Sequence, residues 1–163
     1  MARPGGITVR ETRDGDDQHI LAIARDLQAH ELTIEARSKP VDDIGMWYIE
    51  SRKKDVATFK GRFLVAEADG TIAGYAVLLF KDSSQDPIEI FYTYAFVADL
   101  GVRGEFRRRG IGTALLDACE AIAREAGEKW LQLGVLAGNG SAVRLYERQG
   151  FRAVAHTLEK VLT

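Results

Sequence analysis

Apolar and polar positions change rhythm several times along the chain, and each rhythm predicts an element. From Ile7 to Glu11 they alternate, as in a short strand; Ile20, Ile23, Ala24 and Leu27 then recur at helical steps, with Asp14 or Asp16 placed to cap that helix. A second helix is expected between Val41 and Lys54. It opens after Pro40 with Asp42 and Asp43, where negative charge suits a helix start, and carries Met46, Trp47 and Ile49. Arg62 to Ala68 and Thr71 to Phe80 are rich in β-forming residues, and the Asp69-Gly70 pair between them signals a hairpin. Polar Lys81 to Pro87 reads as a loop, and Ile88 to Val102 as a long strand.

Beyond Val102, helical spacing returns at Ile111, Leu115, Ala118, Cys119, Ile122 and Ala126, and Gly127 ends it. Lys129 to Leu136 is a buried-strand candidate. Ser141 to Gln149 predicts a last helix, capped by Asn139 or Ser141 and stopped by a left-handed Gly150, with Phe151 closing over that end. Ala153 to Leu162 predicts one or two final strands. The class is therefore mixed α/β, a central, mostly antiparallel sheet with flanking helices and one parallel pair made by a strand–loop–helix–strand crossover. No repeat, low-complexity block or linker interrupts it, and 163 residues fit one domain with an ordered core over about residues 7–162.

The segment joining strand to helix, Arg107-Arg108-Arg109-Gly110-Ile111-Gly112, carries the most specific chemistry. Glycines without Cβ let the backbone approach an anion, the following helix offers unpaired N–H groups at its positive end, and the arginines add forked donors. The pattern points to a phosphorylated cofactor. It is not a dinucleotide fingerprint, which needs a third small residue where this chain has Leu115, and no Gly-Lys-Ser/Thr follows to make an ATP loop. Adjacent arginines also suit a solvated basic turn or a nucleic-acid patch; the glycine pair and the helix favour phosphate.

The formal net charge of −2 makes this basic cluster local, so nothing general argues for nucleic acid or a membrane surface. Met1 to Gly6 lacks an apolar signal core, and no segment approaches the ~20 apolar residues of a membrane span. The expectation is a cytoplasmic protein. One cysteine excludes an internal disulfide, and His19, His30 and His156 are too scattered for a metal site, so no metal is expected.

Two motifs, in this order and spacing, resemble the GNAT superfamily of acetyl-CoA-dependent N-acetyltransferases. Arg107, Gly110 and Gly112 match its Gln/Arg-x-x-Gly-x-Gly/Ala signature; Asn139, Ala142, Tyr146, Gly150 and Phe151 match its Asn-x-x-Ala-x-x-x-Tyr-x-x-x-Gly-Phe segment. The N-terminal half matches by element order only. The resemblance implies the GNAT acyltransferase fold, with strands 88–102 and 129–136 splaying to admit pantetheine. It implies that backbone groups of Leu100 and Val102 pair with the pantetheine amides. Amides of Arg108, Arg109, Gly110, Ile111, Gly112 and Thr113 would hold the diphosphate, with an arginine side chain, Arg107 among them, reaching the 3′-phosphate. Asn139 partners the pantetheine arm, caps the last helix, or does both.

The same resemblance puts the Tyr146 hydroxyl near the thioester sulfur, where a phenol with an ordinary pKa of ~10 can donate a proton to the departing thiolate. The Leu100 N–H is placed to polarise the thioester carbonyl. Several family members take a glutamate base from the central strand, but here that stretch is Tyr94-Ala95-Phe96-Val97-Ala98, leaving Asp99 as the nearest carboxylate, with Glu89, Tyr92 or a water chain as alternatives. Cys119, on an apolar helical stripe, is not expected to carry the acyl group.

The expected reaction is direct acetyl transfer from acetyl-CoA to a primary amine, of a small molecule or of a peptide or protein. A catalytically silent acyl-CoA sensor on the same fold is the alternative. Glu31, Glu35, Asp42, Asp43, Asp82, Asp86 and Glu89 lie in the regions that build the acceptor pocket in this fold, as cation attractors or as ordinary solvated residues. Family resemblance also allows a homodimer through an apolar edge strand.

Overall fold

The strand-forming runs assemble in chain order into one five-stranded sheet, β1-β2-β3-β4-β5, in a computed structural model that describes residues 6–163. Residues 1–5, and with them most of the stretch read as lacking a signal core, lie outside the described residues. The elements are β1 (Thr8–Glu11), α1 (Asp17–Leu32), α2 (Met46–Thr58), β2 (Arg62–Ala68), β3 (Thr71–Asp82), β4 (Thr93–Val102), α3 (Ile111–Glu125), β5 (Leu131–Leu133) and α4 (Gly140–Arg148). Among the described residues no helix is long and apolar enough to cross a membrane.

Asp69 (φ 53°) and Gly70 (φ 71°) both take the left-handed conformation that a two-residue turn needs, and the β2–β3 hairpin follows. Pairing is antiparallel from β1 to β4 and parallel between β4 and β5, as the crossover through α3 requires. Alternation along β2 and β3 sends apolar side chains to both faces. Leu64, Ala66, Ala76 and Leu78 pack under Leu115, Leu116 and Cys119 of α3, whereas Phe63, Val65, Tyr75 and Val77 pack under Ile20 and Ile23 of α1 and Ile49 of α2. The central strands are thus buried on both sides by helices from opposite halves of the chain.

Gly74 fixes how closely α3 approaches the sheet. A Cβ there would lie 2.8 Å from both the Gly101 carbonyl oxygen and Ile111 Cγ2, so any side chain must push the start of α3 off β3. Gly74→Ala is expected to cost about 1–3 kcal/mol, as overpacking of a dense core does, and a urea titration reads it directly.

Several expectations need correction. Asp16 stands at the start of α1, but its carboxylate caps nothing: it accepts from Arg10 at 2.8 and 3.2 Å and from the Arg13 N–H at 2.8 Å. The Arg10 guanidinium, which holds this carboxyl below the usual range, outcompetes the helix amides. Asp42 and Asp43 belong to a separate 3₁₀ turn, Val41–Asp43, and α2 starts only after the extended Gly45. Strand β3 runs past Phe80 to Asp82. Ile88 to Tyr92 form no strand, because buried Ser83 closes residues 83–92 on themselves: its N–H donates to the Tyr92 carbonyl, its hydroxyl donates to the Ile90 carbonyl, and that hydroxyl accepts from the Tyr92 N–H.

The two ends of the parallel pair also depart from the pattern. β5 has three residues instead of the eight from Lys129 to Leu136, and Ala153 to Leu162 form no strand at all. β5 reaches only to the level of Val97 because β4 has a bulge there: Val77 faces Asp99 but Leu78 faces Val97, leaving Ala98 as the extra residue. Beyond the bulge, residues 99–102 of β4 keep β3 on one side and, among the described residues, have no strand on the other.

Candidate active site

The site forms where β4 loses its neighbour, and three chain segments supply it. The first is the loop from Arg103 to α3. It turns through a 3₁₀ turn, Gly104–Phe106, and then two left-handed residues, Arg108 (φ 60°) and Gly110 (φ 84°), before α3 begins at Ile111. Such alternation aims successive amides into one concavity. Among the described residues, none of the six N–H groups from Arg108 to Thr113 donates to a backbone or side-chain acceptor, the first helical bond being Ala114 N–H to the Gly110 carbonyl at 3.0 Å. Six unpaired donors at a helix start make a site for an anion with several oxygens.

The arginines divide. Arg109 is committed to its own protein, paired with Asp69 at 2.8 Å and stacked 4.8 Å from the Phe106 ring. Arg107 and Arg108 are exposed and form no ion pair among the described residues, so the side chains open to a further phosphate are theirs. Gly112 serves close approach, not a special φ: it is helical, and a Cβ there would meet Leu145 Cδ2 of α4 at 3.0 Å.

The second segment is the outer half of β4. Leu100 and Val102 point their side chains into the α3 side of the core; the Arg103 N–H bonds the Ala73 carbonyl, and by antiparallel alternation from there the backbone groups of Leu100 and Val102 face away from β3, along the open edge. Asp99 points to the opposite face. Tyr48 of α2 donates its hydroxyl hydrogen bond to Asp99 Oδ2, and Tyr75 of β3 donates to the same oxygen at 2.9 Å. Gly101 makes room for this, since a Cβ there would lie 2.7 Å from Tyr75 Cε1. Burial pushes the Asp99 carboxyl up to about 7; the negative charge of Glu31 adds to the rise and the Leu100 amide opposes it.

The third segment is α4. Asn139 caps it, its Oδ1 accepting the Ala142 N–H at 3.3 Å. Gly150 (φ 88°) ends it, and the Phe151 N–H donates to the Tyr146 carbonyl at 2.9 Å, setting Phe151 edge-on to Tyr146 with centroids 5.9 Å apart. Burial raises the Tyr146 hydroxyl above the ordinary phenol range, and the charges of Asp99 and Glu31 add to it. The charge of Asp99, on the α1–α2 face, thus bears on the hydroxyl of Tyr146, whose ring packs on the α3–α4 face.

Glu31 is the one expected acceptor-side acid that joins them, its carboxyl raised by burial on α1. Glu35 is taken by Arg37 at 2.8 Å. Asp82 and Asp86 accept the Ser84 and Ile88 N–H groups, so they shape their own loop. That loop walls an open depression of about 370 Å³ with Tyr92, Tyr94 and Glu89. Among the described residues, neither Glu89 nor Tyr92 hydrogen-bonds Asp99, whose partners are Tyr48 and Tyr75. Cys119 is buried, and its thiol is pushed up to about 12, which keeps it protonated.

Tyr48 and Tyr75 were not singled out by sequence. For Tyr75 a signal exists: a tyrosine inside an apolar strand buried on both faces needs a partner for its hydroxyl, and Asp99 is the carboxylate of the next strand.

The family model described as "Acetyltransferase (GNAT) family" matches residues 19–151, most of the chain and all three segments of this site. The chain belongs to the GNAT acetyltransferase family. An N-alpha-acetyltransferase of Sulfurisphaera tokodaii is 33% identical over 101 residues, 59% of this chain and 59% of that protein. Mycothiol acetyltransferase of Propionibacterium freudenreichii is 29% identical over 158 residues, 93% of this chain but 45% of its own length. This GNAT chain thus spans about half the length of these curated relatives. Among solved structures, a mutant of the BH1408 protein from Bacillus halodurans shares the fold with a TM-score of 0.84 at 19% identity, covering 96% of this chain and 99% of that one. The aminoglycoside N-acetyltransferase AAC(6')-Iy, in complex with CoA, does so with a TM-score of 0.74 at 15% identity, covering 99% and 98%.

Proposed function

We propose that this GNAT domain, over residues 7–162, transfers an acetyl group from acetyl-CoA directly to the nitrogen of a primary amine, of a small molecule or a peptide, in the cytoplasm. The observation that carries this is the run of six unpaired amides from Arg108 to Thr113, placed at the mouth of a gap in the sheet that holds an aspartate and a tyrosine. Those amides fit a diphosphate, Arg107 or Arg108 fits the 3′-phosphate, and the free edge at Leu100 and Val102 fits the amides of a pantetheine arm, with Asn139 at its far side. Bound there, the coenzyme supplies an activated acyl carbonyl.

The chain's own residues do the rest. Holding two reactants in one gap accounts for much of the acceleration. The Asp99 carboxyl, raised to about 7, is poised to take a proton from the incoming ammonium, directly or through water, with Tyr48 and Tyr75 holding its Oδ2. Tyr146, whose raised pKa keeps the phenol intact at neutral pH, donates to the sulfur side. Glu31 gives the acceptor side a carboxylate complementary to a cation. Cys119, buried and protonated, is left out of the acyl path.

A melting curve and a thiol-release assay test this together. Acetyl-CoA is expected to raise the melting temperature, and a panel of amines and peptides is expected to contain one that releases free coenzyme A. Stabilisation without thiol release across the panel would leave a silent acyl-CoA sensor; neither response would overturn the reading. A homodimer completes the proposal.

A further inference from the structure

We infer that Ile34, seated on Gly138, forms a bar across the gap on its α1–α2 side and sets how much bulk an acceptor can carry beside its amine. The contact spans the sheet. α1 lies over β3 and β4, with Ile23 Cγ2 3.0 Å from where a Gly101 Cβ would stand, whereas Gly138 belongs to the connection that leaves β5 and enters α4. A Cβ on Gly138 would lie 2.7 Å from Ile34 Cγ2. Gly138 is not left-handed, so what glycine provides here is room for the isoleucine and not a special backbone angle.

Both partners stand beside the groups assigned to the reaction. The Ile34 N–H donates to the Glu31 carbonyl at 2.9 Å, which puts Ile34 one turn beyond the acid whose charge bears on Asp99, Tyr75 and Tyr146. Gly138 directly precedes Asn139, the cap of α4. A second tie holds the same loop: Arg37 pairs with Glu35 at 2.8 Å and with Glu159 at 2.5 Å, joining the segment after α1 to the segment after α4. Ile34 is thus fixed from both sides, and its branched Cβ leaves it few rotamers with which to yield.

The inference rests on the acetyl-transfer reading and deepens it. In that reading the coenzyme lies along the free edge of β4, and the acceptor comes from the side that Asp99 faces, which is the side the bar crosses. The nitrogen has to come within ~3–3.5 Å of the acyl carbon, so the carbon that bears it travels the same narrow route. There a substituent meets a fixed side chain and not water. A misfit of one methylene against such a wall changes kcat/KM by about 10–200-fold. Ile34 is therefore a specificity-determining residue, without a part in the chemistry itself, and an amine on an unbranched carbon is the acceptor it favours.

Two measurements test this. Thiol release is compared for an amine found by the screen and its analogue with a methyl group added on, or removed from, the carbon bearing nitrogen. The wild type is expected to prefer the unbranched member, and Ile34→Ala to narrow that preference about tenfold or more while the rise in melting temperature with acetyl-CoA stays the same. The second measurement needs neither coenzyme nor turnover. Asp99→Cys is labelled with a small aminoethyl methanethiosulfonate and with a bulky benzyl one, and Ile34→Ala is expected to speed the bulky reagent several-fold relative to the small one. Cys119, buried and with its thiol pushed up to about 12, does not compete. Should Ile34→Ala misfold, Ile34→Val, which trims the same half-buried side chain by one methyl group, is expected to move both ratios in the same direction. An unchanged amine ratio or an unchanged labelling ratio in a folded variant would overturn the inference. A labelling ratio that moves while no amine releases thiol would fail the acetyl-transfer reading and leave the bar standing.

Discussion

Tyr146→Phe is expected to lower turnover by ~10²-fold or more while leaving the affinity for acetyl-CoA and the melting temperature nearly unchanged. The structure separates these three quantities. The Tyr146 hydroxyl makes no hydrogen bond to another protein group among the described residues, so its removal orphans no partner, and the ring keeps its edge contact with Phe151. The site proposed for the coenzyme lies elsewhere, at the amides of residues 108–113, whose geometry depends on Arg108, Gly110 and the seat of α3 on Gly74. What the variant loses is a proton at one place. Burial and the two nearby carboxylates all disfavour the phenolate, so at neutral pH the donor is fully charged with its proton, and phenylalanine offers none. Steady-state kinetics with the amine found by the thiol-release screen, alongside a coenzyme titration, read the split. An unchanged kcat would remove Tyr146 from the reaction.

The parts of this site legible in the sequence are those set by local chain chemistry. Gly110 and Gly150 announce left-handed turns, Asn139 announces a cap, and the Asp69-Gly70 pair announces a hairpin; each does its work within a few residues. Asp16 shows the limit. It has the right type and position for a cap, and it is diverted by Arg10, six residues away and on β1. Arg108 shows another, because a left-handed arginine is not signalled by composition and yet helps form the anion cradle.

Longer-range features were less visible. The bulge at Ala98, which ends β5 early and opens the gap, arises from a mismatch of register between β3 and β4, and no residue of β4 alone encodes it. The cluster of Tyr48, Tyr75 and Asp99 joins α2, β3 and β4, three segments whose juxtaposition only the fold supplies. The tail has the composition of a strand, and the expectation of one or two strands over Ala153 to Leu162 fails because, among the described residues, no strand lies beside them to pair with.

Asp99→Asn is expected to slow catalysis by ~10²-fold or more above neutrality and, at the same pH, to make the protein more stable. Both effects come from one half-buried carboxyl. As a base it works only when deprotonated, so kcat/KM for the wild-type enzyme should rise with pH through about 7, and the variant should lack that limb. The stability effect follows from linkage. The carboxyl ordinarily titrates near 3.8 and in the folded chain near 7, so between these values the folded state holds a proton that the unfolded state has released. Stability from this group is therefore fully present below about 4 and lost as pH rises through 7, at about 1.4 kcal/mol per unit of difference. A neutral amide that still accepts from Tyr48 and Tyr75 escapes that loss. Melting temperatures at pH 5 and pH 8 are expected to converge in Asp99→Asn and diverge in the wild type, beyond the shift common to both. If instead the variant melted lower at pH 8 and kept its pH–rate limb, Asp99 would be a structural partner of two tyrosines and the base would lie elsewhere.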